Sequence, residues 1–496
     1  MAAVISIDAG TTGVRALAVD ERGQPVGWSY REFTQHFPRP GWVEHDAEEI
    51  WSTVQHTLAE LVASLDDTVA AVGITDQRET IVAWDRRTGA PRHHAIVWQD
   101  RRTAGECEAL EAGGHLPMVR DRTGLVLDPY FSATKLRWLI DKGGVGDDGD
   151  LAVGTIDSWL LWKLTAGAVH ATDPSNASRT MLYDIHDLGW SDDLIELFGV
   201  PGHALPEVRP SSGRFGVTAD TTALGAGVPI SGIAGDQQAA LFGQACVRPG
   251  MTKNTYGTGS FVLMNVGDSC PEPIDGLLTT VAWTIASPAG GSITHYALEG
   301  SIFATGAAVQ WLRDGLGIIS AASELEALAR QCDDSDGVVF VPAFTGLGSP
   351  WWDPHARGTV VGITRGTGRA HLARAVVDAM VHQTRDVVDA MCSASGREVE
   401  SLRADGGASA MDLLLQLQAD QLGVPVARPA NQETTAIGAA YLAGLAEGVW
   451  SSLEEIGDHW AVDVEATPAL DRDRADADHA RWLRAVERSR GWIGSS

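Results

Sequence analysis

The chain has 496 residues, of which 44% are hydrophobic and 21% are charged, and 65 acidic against 37 basic side chains give it a net charge of −28. A chain of this length and composition folds into about two globular domains, which excludes an intrinsically disordered protein. The negative charge excludes nucleic acid as a partner and disfavours anionic membrane surfaces, because it repels both.

Five cysteines are scattered along the chain without CxxC spacing, at positions 107, 246, 270, 332 and 392. Such a distribution favours reduced thiols rather than a disulfide framework. No apolar run approaches the roughly 20 residues of a membrane span, and the segment before the first turn is too short for a signal peptide. We therefore expect a cytoplasmic protein without membrane insertion.

The chain opens with a predicted β-hairpin. Residues 5–8 alternate as in a strand, and residues 14–19 form a second strand after a turn rich in Gly and Thr at 9–13. Such a turn presents several backbone N–H groups and hydroxyls in one concavity, which suits a phosphate. Asp8 ends the first strand, where it can contact Mg²⁺, or it is simply a turn residue.

A helix and a pair of strands follow the hairpin. Asp46 followed by Glu49 is typical of an N-cap with its capping-box partner, so we predict a helix from about residue 46 to 65. Residues 69–75 and 81–84 are predicted strands, and the polar segment 76–79 lies between them. Charged groups at the end of a buried strand often line a site.

A second turn rich in Gly and Thr, at 254–260, precedes a predicted strand at 261–265. It suggests a duplicated architecture with one phosphate-binding hairpin in each of two domains, which we place at residues 1–245 and 246–496. The segment 232–236 would then lie near the domain junction. We expect the tail from about residue 463 to be a surface helix without chemistry of its own.

The two commonest phosphate-binding motifs are missing from the sequence. It contains neither GxxxxGK[ST] nor a GxGxxG loop followed by a VAIK-like lysine. Two Gly/Thr hairpins that face each other across a cleft would serve instead, since their amides and hydroxyls can bind the β- and γ-phosphates while magnesium offsets the charge. Each hairpin alone is a weak signal, and an aspartate in each half strengthens the pair.

Long runs of residues identify a family. With the segments 8–12, 40–46, 77–80, 96–99, 128–132, 176–180, 232–244, 253–259, 296–300, 342–348, 405–408 and 438–444, the chain resembles the FGGY carbohydrate kinases. The resemblance implies an α/β fold of two ribonuclease-H-like domains, of the actin and hexokinase type. ATP and a polyol would meet in the cleft between them.

The resemblance also implies a polyol site, with Asp236 as the general base that takes the proton of the attacking hydroxyl. The residues that would bind the polyol are Arg78, Glu79, Trp98, Tyr130, Asp236, Gln237 and Phe261. On the residues alone, Asp236 is as readily a cap of a helix over 237–243. Arg78 and Glu79 alone would more readily be a surface ion pair.

On the nucleotide side, the resemblance implies phosphate and nucleoside contacts and a metal contact at Asp8. These residues are Thr11, Thr12, Gly13, Arg15, Thr258, Gly306, Gln310, Gly407 and Met411. Met411 departs from the Asn that is common in the family, which bears on one hydrogen bond to the adenine. Between residues 216 and 229 the chain has no Lys or Arg, so we expect inhibition by a sugar bisphosphate to be absent or altered.

The sequence therefore predicts a kinase that uses ATP and Mg²⁺ to phosphorylate glycerol to sn-glycerol 3-phosphate in glycerol catabolism. One alternative is an FGGY kinase for another polyol or a ketose. The other is a non-enzymatic, ATP-switched module of the actin type, which would not need a polyol pocket. The expected partners are glycerol and ATP, and a dimeric or tetrameric homo-oligomer is compatible with the sequence.

Overall fold

The computed structural model describes residues 2–287 and 290–494. The domain bounds proposed from the sequence also include Met1, Pro288, Ala289, Ser495 and Ser496, which lie outside the described residues. Within them the chain forms two α/β domains, each built on a mixed sheet, as expected from the sequence. The division of the chain after residue 245 stays a prediction.

The first half of the chain alternates short strands with short helices. The strands are β1 (Ala2–Ala9), β2 (Gly13–Val19), β3 (Pro25–Glu32), β4 (Glu44–His45), β5 (Thr68–Asp76), β6 (Ile81–Asp85), β7 (Ala95–Ile96), β8 (Leu151–Thr155), β9 (Ala171–Thr172), β10 (Tyr183–Asp184), β11 (Gly189–Trp190), β12 (Glu207–Val208), β13 (Ser212–Val217) and β14 (Pro229–Gly235). The helices are α1 (Ala47–Ala63), α2 (Ala104–Ala112), α3 (Leu116–Thr123), α4 (Ser132–Asp141), α5 (Ile156–Leu164), α6 (Pro174–Ala177), α7 (Asp192–Phe198) and α8 (Asp236–Gly243), with a 3₁₀ turn at Gly202–Ala204.

The second half repeats this mixture with longer strands and helices. Its strands are β15 (Thr252–Tyr256), β16 (Ser260–Gly267), β17 (Leu278–Ala286), β18 (Ser292–Ile302), β19 (Val339–Val341), β20 (Thr359–Val361), β21 (Leu402–Asp405), β22 (Val426–Pro429) and β23 (Val462–Ala466). Its helices are α9 (Gly306–Gln310), α10 (Glu324–Ala329), α11 (Arg369–Ser395), α12 (Asp412–Leu422), α13 (Thr434–Ala446), α14 (Leu453–Asp458) and α15 (Arg472–Ser489), with a π-helical turn at Trp311–Gly315 and a 3₁₀ turn at Gly407–Ala410.

The two main sheets share one topology. In the first, with order β13-β14-β5-β1-β2-β3, the hairpin β1–β2 is followed by β5 and β14, which run parallel to β1. In the second, with order β17-β18-β16-β15-β21-β22-β23, the hairpin β15–β16 is followed by β21 and β22, which run parallel to β15. The duplication that the two Gly/Thr turns indicate is therefore present in the fold.

Helix α1 forms where the sequence predicts it. The side chain of Asp46 accepts hydrogen bonds from the N–H groups of Glu48 and Glu49, as an N-cap does, and the predicted apolar face of the helix is buried. The predicted capping box does not form, however. The Glu49 carboxylate accepts from the N–H and hydroxyl of Thr34, at 3.0 and 2.8 Å, because the loop after β3 crosses the start of the helix.

The C-terminal tail differs from the predicted surface helix in two respects. Residues 462–466 form β23, which pairs antiparallel with β22, and the helix α15 begins only at Arg472. One face of α15 is buried: Trp482 is 1% exposed and its Nε1 donates to Asp386 at 2.7 Å. Apolar positions three to four residues apart supply this face, although Ala, Asp and Arg dominate the composition.

Helix α13 connects the two halves of the molecule. Its Ile437 and Tyr441 share a hydrophobic cluster with Val4 and Leu17 of the first sheet. A Cβ at Gly438 would lie 1.8 Å from the backbone oxygen of Ala239, so only glycine allows α13 to cross α8 this closely. A helix of the second half thus completes a core of the first. None of the helices within residues 2–287 and 290–494 combines the length and apolarity needed to cross a bilayer.

Candidate active site

Side chains from three parallel strands meet at one edge of the first sheet. Ala9 of β1 is aligned with Asp76 of β5, and Asp76 is aligned with Gly235 of β14. Because parallel strands end at the same edge, the residues that precede or follow these positions come together. Asp8, Arg78 and Asp236 are therefore neighbours in the fold.

Arg78 is the centre of a group of side chains that we call the Arg78 cluster, namely Arg78, Glu79, Tyr130, Arg179, Asp236 and Glu299. The Nη1 atom of Arg78 lies 2.5 Å from Glu299 Oε2, and its Nη2 donates to the Tyr130 hydroxyl at 3.2 Å. Its Nε lies 3.1 Å from Asp236 Oδ1. The side chain of Arg78 is 2% exposed and that of Asp236 is 31% exposed, so the aspartate reaches solvent while the arginine beside it does not.

Two arginines and two glutamates balance the buried charge of the cluster. Arg179 bridges the glutamates, with its Nε 2.7 Å from Glu79 Oε1 and its Nη2 2.9 Å from Glu299 Oε1. Burial raises the pKa of Glu79, against the effect of Arg78 and Arg179. Burial opposes ionisation of Glu299 as well, but the two arginines outweigh it and lower its pKa to about 2.

The surface ion pair that Arg78 and Glu79 alone suggest is not formed, because both side chains are buried. Their closest charged atoms are 3.8 Å apart. Glu79 has a left-handed φ of 63°, and the N–H of Thr80 donates to the Arg78 oxygen at 2.8 Å, which closes a tight turn after β5. Such a backbone costs about 1–3 kcal/mol and is typical of functional sites.

Aromatic side chains attach both Gly/Thr hairpins to the cluster. Trp98 packs edge-on against Tyr130 with ring centroids 5.6 Å apart, and its Nε1 donates to the Thr11 hydroxyl of the first hairpin at 3.0 Å. Phe261 of the second hairpin has its ring centroid 5.8 Å from the guanidinium carbon of Arg78. The two hairpins therefore approach the same group of side chains, as a cleft between two domains requires.

The environment of Asp8 fits a cation. Burial and the neighbouring Asp236 carboxylate raise the pKa of Asp8 to about 7, and Arg15 opposes this. A divalent ion would relieve the repulsion between the two carboxylates. In residues 2–287 and 290–494 no group of three or more His, Cys, Asp or Glu side chains is arranged to hold a metal. Mg²⁺ usually takes one or two carboxylates together with water and substrate phosphates.

The first hairpin accepts only glycine at position 13. A Cβ there would lie 2.5 Å from the Arg31 backbone oxygen and 2.6 Å from the Tyr30 hydroxyl. Thr12 is exposed at the tip of this turn. The guanidinium carbon of Arg15 lies 5.6 Å from the Tyr30 ring centroid, and its Nη1 forms an ion pair with Glu433 at the start of α13.

The second hairpin is tighter than the sequence predicts. Asn254 and Thr255 belong to β15, so the turn itself is 257–259, with Thr258 exposed at its tip. The N–H of Gly306 donates to the Gly257 oxygen at 3.0 Å. The backbone at Gly406 passes so close to Tyr256 that a Cβ there would lie 2.6 Å from the Tyr256 oxygen. Gly407, the next residue, therefore lies at the base of the same hairpin.

Gln310 and Met411 lie farther from the polyol residues. Gln310 is exposed at the end of α9, and Met411 precedes α12 and packs against the core of the second domain. In the part of the chain that the structure describes, neither is hydrogen-bonded to the Arg78 cluster. Their place in a nucleoside pocket stays a prediction.

Three charged residues of this region received no role from the sequence, namely Arg179, Lys253 and Glu299. Each lies in one of the runs that match the family, and each is a charge inside an otherwise buried segment. A glutamate within the apolar strand β18 is the clearest such signal, since Glu is almost never fully buried unless it is paired.

Comparisons with known proteins give matches to both halves of the chain. Residues 3–243 match the N-terminal domain, and residues 252–447 the C-terminal domain, of the FGGY family of carbohydrate kinases. The chain is 54% identical to the glycerol kinase of Bordetella parapertussis, over 99% of this chain and 97% of that protein. It is 55% identical to the glycerol kinase of Symbiobacterium thermophilum, over 99% and 98%.

Solved structures share the fold over its whole length. The glycerol kinase of Plasmodium falciparum, solved with ADP, has a TM-score of 0.93 and 34% identity, and the match covers 99% of this chain and 98% of that one. The gluconate kinase of Lactobacillus acidophilus has a TM-score of 0.87 at 22% identity, over 98% and 97%, which is a likeness of fold alone.

Proposed function

This chain belongs to the FGGY family of carbohydrate kinases, and we propose that it transfers the terminal phosphoryl group of ATP to glycerol, giving sn-glycerol 3-phosphate and ADP. Relatives that cover the whole chain at more than half identity are glycerol kinases, which supports this substrate over another polyol or a ketose. The observation that carries the proposal is the Arg78 cluster, which offers alternating donors and acceptors beside one partly exposed carboxylate. An ATP-switched module would not need such a pocket.

The polyol is bound by paired hydrogen bonds and by ring faces. Arg78 and Tyr130 donate to hydroxyl oxygens, and Glu79 accepts from a hydroxyl, so a ligand that lacks one hydroxyl leaves a buried polar group unpaired. Trp98 and Phe261 pack against the carbon chain. Gln237, next to Asp236 at the start of α8, adds a further polar contact.

Phosphoryl transfer is an in-line displacement. A terminal hydroxyl oxygen of glycerol attacks the γ-phosphorus, the bond to the bridging oxygen between the β- and γ-phosphorus breaks, and ADP leaves with that electron pair. The hydroxyl proton passes to the carboxylate of Asp236, which the Nε of Arg78 orients from the protein side at 3.1 Å. Closure of the two domains would exclude water, which otherwise competes as the acceptor.

The phosphates are bound at the tips of the two hairpins. Thr11, Thr12, Gly13 and Arg15 contribute from the first domain and Thr258 contributes from the second, while Gly306, Gln310, Gly407 and Met411 line the nucleoside pocket. Asp8 would hold Mg²⁺, which supplies positive charge against the phosphates when it is bound. The cytoplasmic location, a homo-oligomer and absent or altered inhibition by a sugar bisphosphate stay predictions.

A coupled assay of ADP release with a panel of acceptors tests the function. The panel contains glycerol, propane-1,2-diol, propane-1,3-diol, erythritol and a ketopentose, with ATP alone as the control. We expect turnover with glycerol, a loss of about a hundredfold or more in kcat/KM for each diol, and slow hydrolysis of ATP alone. If a ketopentose is turned over better than glycerol, the proposed substrate is wrong. If ADP is released at the same rate without any acceptor, the proposed kinase activity is wrong.

A further inference from the structure

Lys253 is a fully buried lysine on β15, with no exposed side-chain surface. Its Nζ donates to Gln237 Oε1 at 2.5 Å and to the Thr255 hydroxyl at 2.8 Å. Both partners are neutral, and within the described residues Lys253 forms no ion pair. A lysine is almost never buried in this way without a partner of opposite charge, because its desolvation costs several kcal/mol.

The two acceptors belong to different domains. Gln237 is the second residue of α8 and directly follows Asp236. Thr255 lies on β15, which leads into the turn 257–259 of the second hairpin. The ammonium group is therefore a bridge between the helix that carries the base and the hairpin that approaches the phosphates.

The bridge reaches Asp236 through one residue. The N–H of Gln237 donates to Asp236 Oδ1 at 2.7 Å, while the side chain of the same glutamine accepts from Lys253. Gln237 is thus hydrogen-bonded to the carboxylate through its backbone N–H and to the lysine through its side-chain oxygen. A displacement of β15 would be transmitted along this chain of hydrogen bonds to the carboxylate.

We propose that Lys253 is a positioning residue that couples the phosphate hairpin of the second domain to the orientation of Asp236. It does not touch either substrate, since its side chain is closed off from solvent. ATP phosphates that order the second hairpin also order Thr255, and through Lys253 and Gln237 they hold the carboxylate towards the acceptor hydroxyl. This inference rests on the proposed kinase function and adds a residue to it.

The charge of Lys253 depends on groups from both domains. Burial lowers the pKa of its ammonium to about 8, against the effect of Asp405, Asp236 and Glu299, and Arg78 lowers it further. Above that pH the amine is neutral and both hydrogen bonds weaken, because charge-assisted bonds are roughly twice as strong as neutral ones. The coupling is therefore lost as the pH rises through about 8.

The test compares Lys253→Met with the control Lys163→Met. Lys163 lies near the C-terminal end of α5, and its Nζ is 2.9 Å from the carboxylate of Glu48 on α1. We expect Lys253→Met to lower kcat with glycerol by about tenfold or more, with KM for glycerol changed by less than about threefold, and the control to retain kcat. The wild type should lose kcat above about pH 8, whereas the variant should lack this alkaline decrease. An unchanged kcat, an effect on KM alone, or the same alkaline decrease in the variant would overturn the proposal.

Thr255→Val guards against a variant that fails to fold. It removes one acceptor of the bridge with little change in volume. We expect it to lower kcat too, by less than Lys253→Met does. If Lys253→Met is unfolded by circular dichroism, an unchanged kcat in Thr255→Val overturns the proposal. The wild type in the same assay tests the kinase function separately: if it uses another acceptor of the panel instead of glycerol, the variants are compared on that acceptor.

Discussion

The Nε of Arg78 lies 3.1 Å from Oδ1 of Asp236, and this guanidinium is 2% exposed while the carboxylate is 31% exposed. Arg78 therefore holds the aspartate from the buried side and leaves its other side open. The same guanidinium is anchored to Glu299 at 2.5 Å, so the orientation of Asp236 depends on a group from the second domain.

Asp236→Asn should lower kcat with glycerol by about 10²–10⁴, because the amide cannot accept the proton of the attacking hydroxyl. The KM for glycerol should change little, since Arg78, Glu79 and Tyr130 are retained. Steady-state kinetics of ADP release measures both constants. The control is Asp85→Asn, an aspartate that is likewise partly exposed and paired with an arginine, at 3.2 Å. Full activity of Asp236→Asn would remove this residue from the role of base.

Arg179→Gln should destabilise the protein by about 3–5 kcal/mol, because it leaves Glu79 and Glu299 buried with less compensating charge. The KM for glycerol should also rise as Glu79 loses its orienting partner. Denaturant unfolding measures the stability. Arg313→Gln, which removes an ion pair between side chains that are 40% and 64% exposed, should change the free energy of unfolding by less than about 1 kcal/mol. Equal effects of the two substitutions would contradict a structural role for the cluster.

Glu433→Gln should lower the KM for ATP by up to about fivefold, because it frees Arg15 from an ion pair that competes with the phosphates. The effect is small since both side chains are partly exposed. Glu447→Gln, which breaks an ion pair with Arg214 at the C-terminal end of α13, is the matched control and should leave the KM unchanged. A higher KM for ATP in Glu433→Gln would mean that the carboxylate helps to hold Arg15 in place for the nucleotide.

His45 should make the protein less stable in mild acid. Burial lowers its pKa to about 3, and His36 lowers it further, whereas the unfolded chain binds this proton at about pH 6.5. The unfolded state therefore binds more protons between these values, so stability is full above about pH 6.5 and is lost as the pH falls towards 3. From pH 7 to pH 5 the loss from this residue is about 2 kcal/mol.

Unfolding of the wild type and of His45→Gln at both pH values checks this contribution. The glutamine has no titrating group, so the difference in unfolding free energy between pH 7 and pH 5 should be smaller in the variant by about that amount. In the wild type, His45 Nε2 lies 2.7 Å from Gln35 Oε1, and Gln77 Nε2 lies 3.3 Å from its Nδ1. The same pH dependence in both proteins would assign the acid sensitivity to other buried histidines.

Local features were readable from the sequence because their causes are local. Turn residues predicted both Gly/Thr hairpins, a cap followed by an apolar face predicted α1, and an apolar run predicted β5. The long matched segments identified the family and the two-domain fold, and they named Arg78, Asp236 and the aromatic residues as candidates. Two predictions were wrong, the capping box of α1 and the helix at 463–466. Glu49 binds the loop that contains Thr34 instead, and residues 463–466 pair with the strand β22.

Only the tertiary structure decided which charges share the site. Arg179 pairs with Glu79 within the first domain, and Glu299 of the second domain pairs with both Arg78 and Arg179. Lys253 connects Gln237 to Thr255. Parallel strands and buried helices bring these distant residues within hydrogen-bond distance. No local pattern specifies such partners. The sequence by itself determined the elements and the family, whereas the free energy of a buried charge depends on the neighbours that the packed chain places around it.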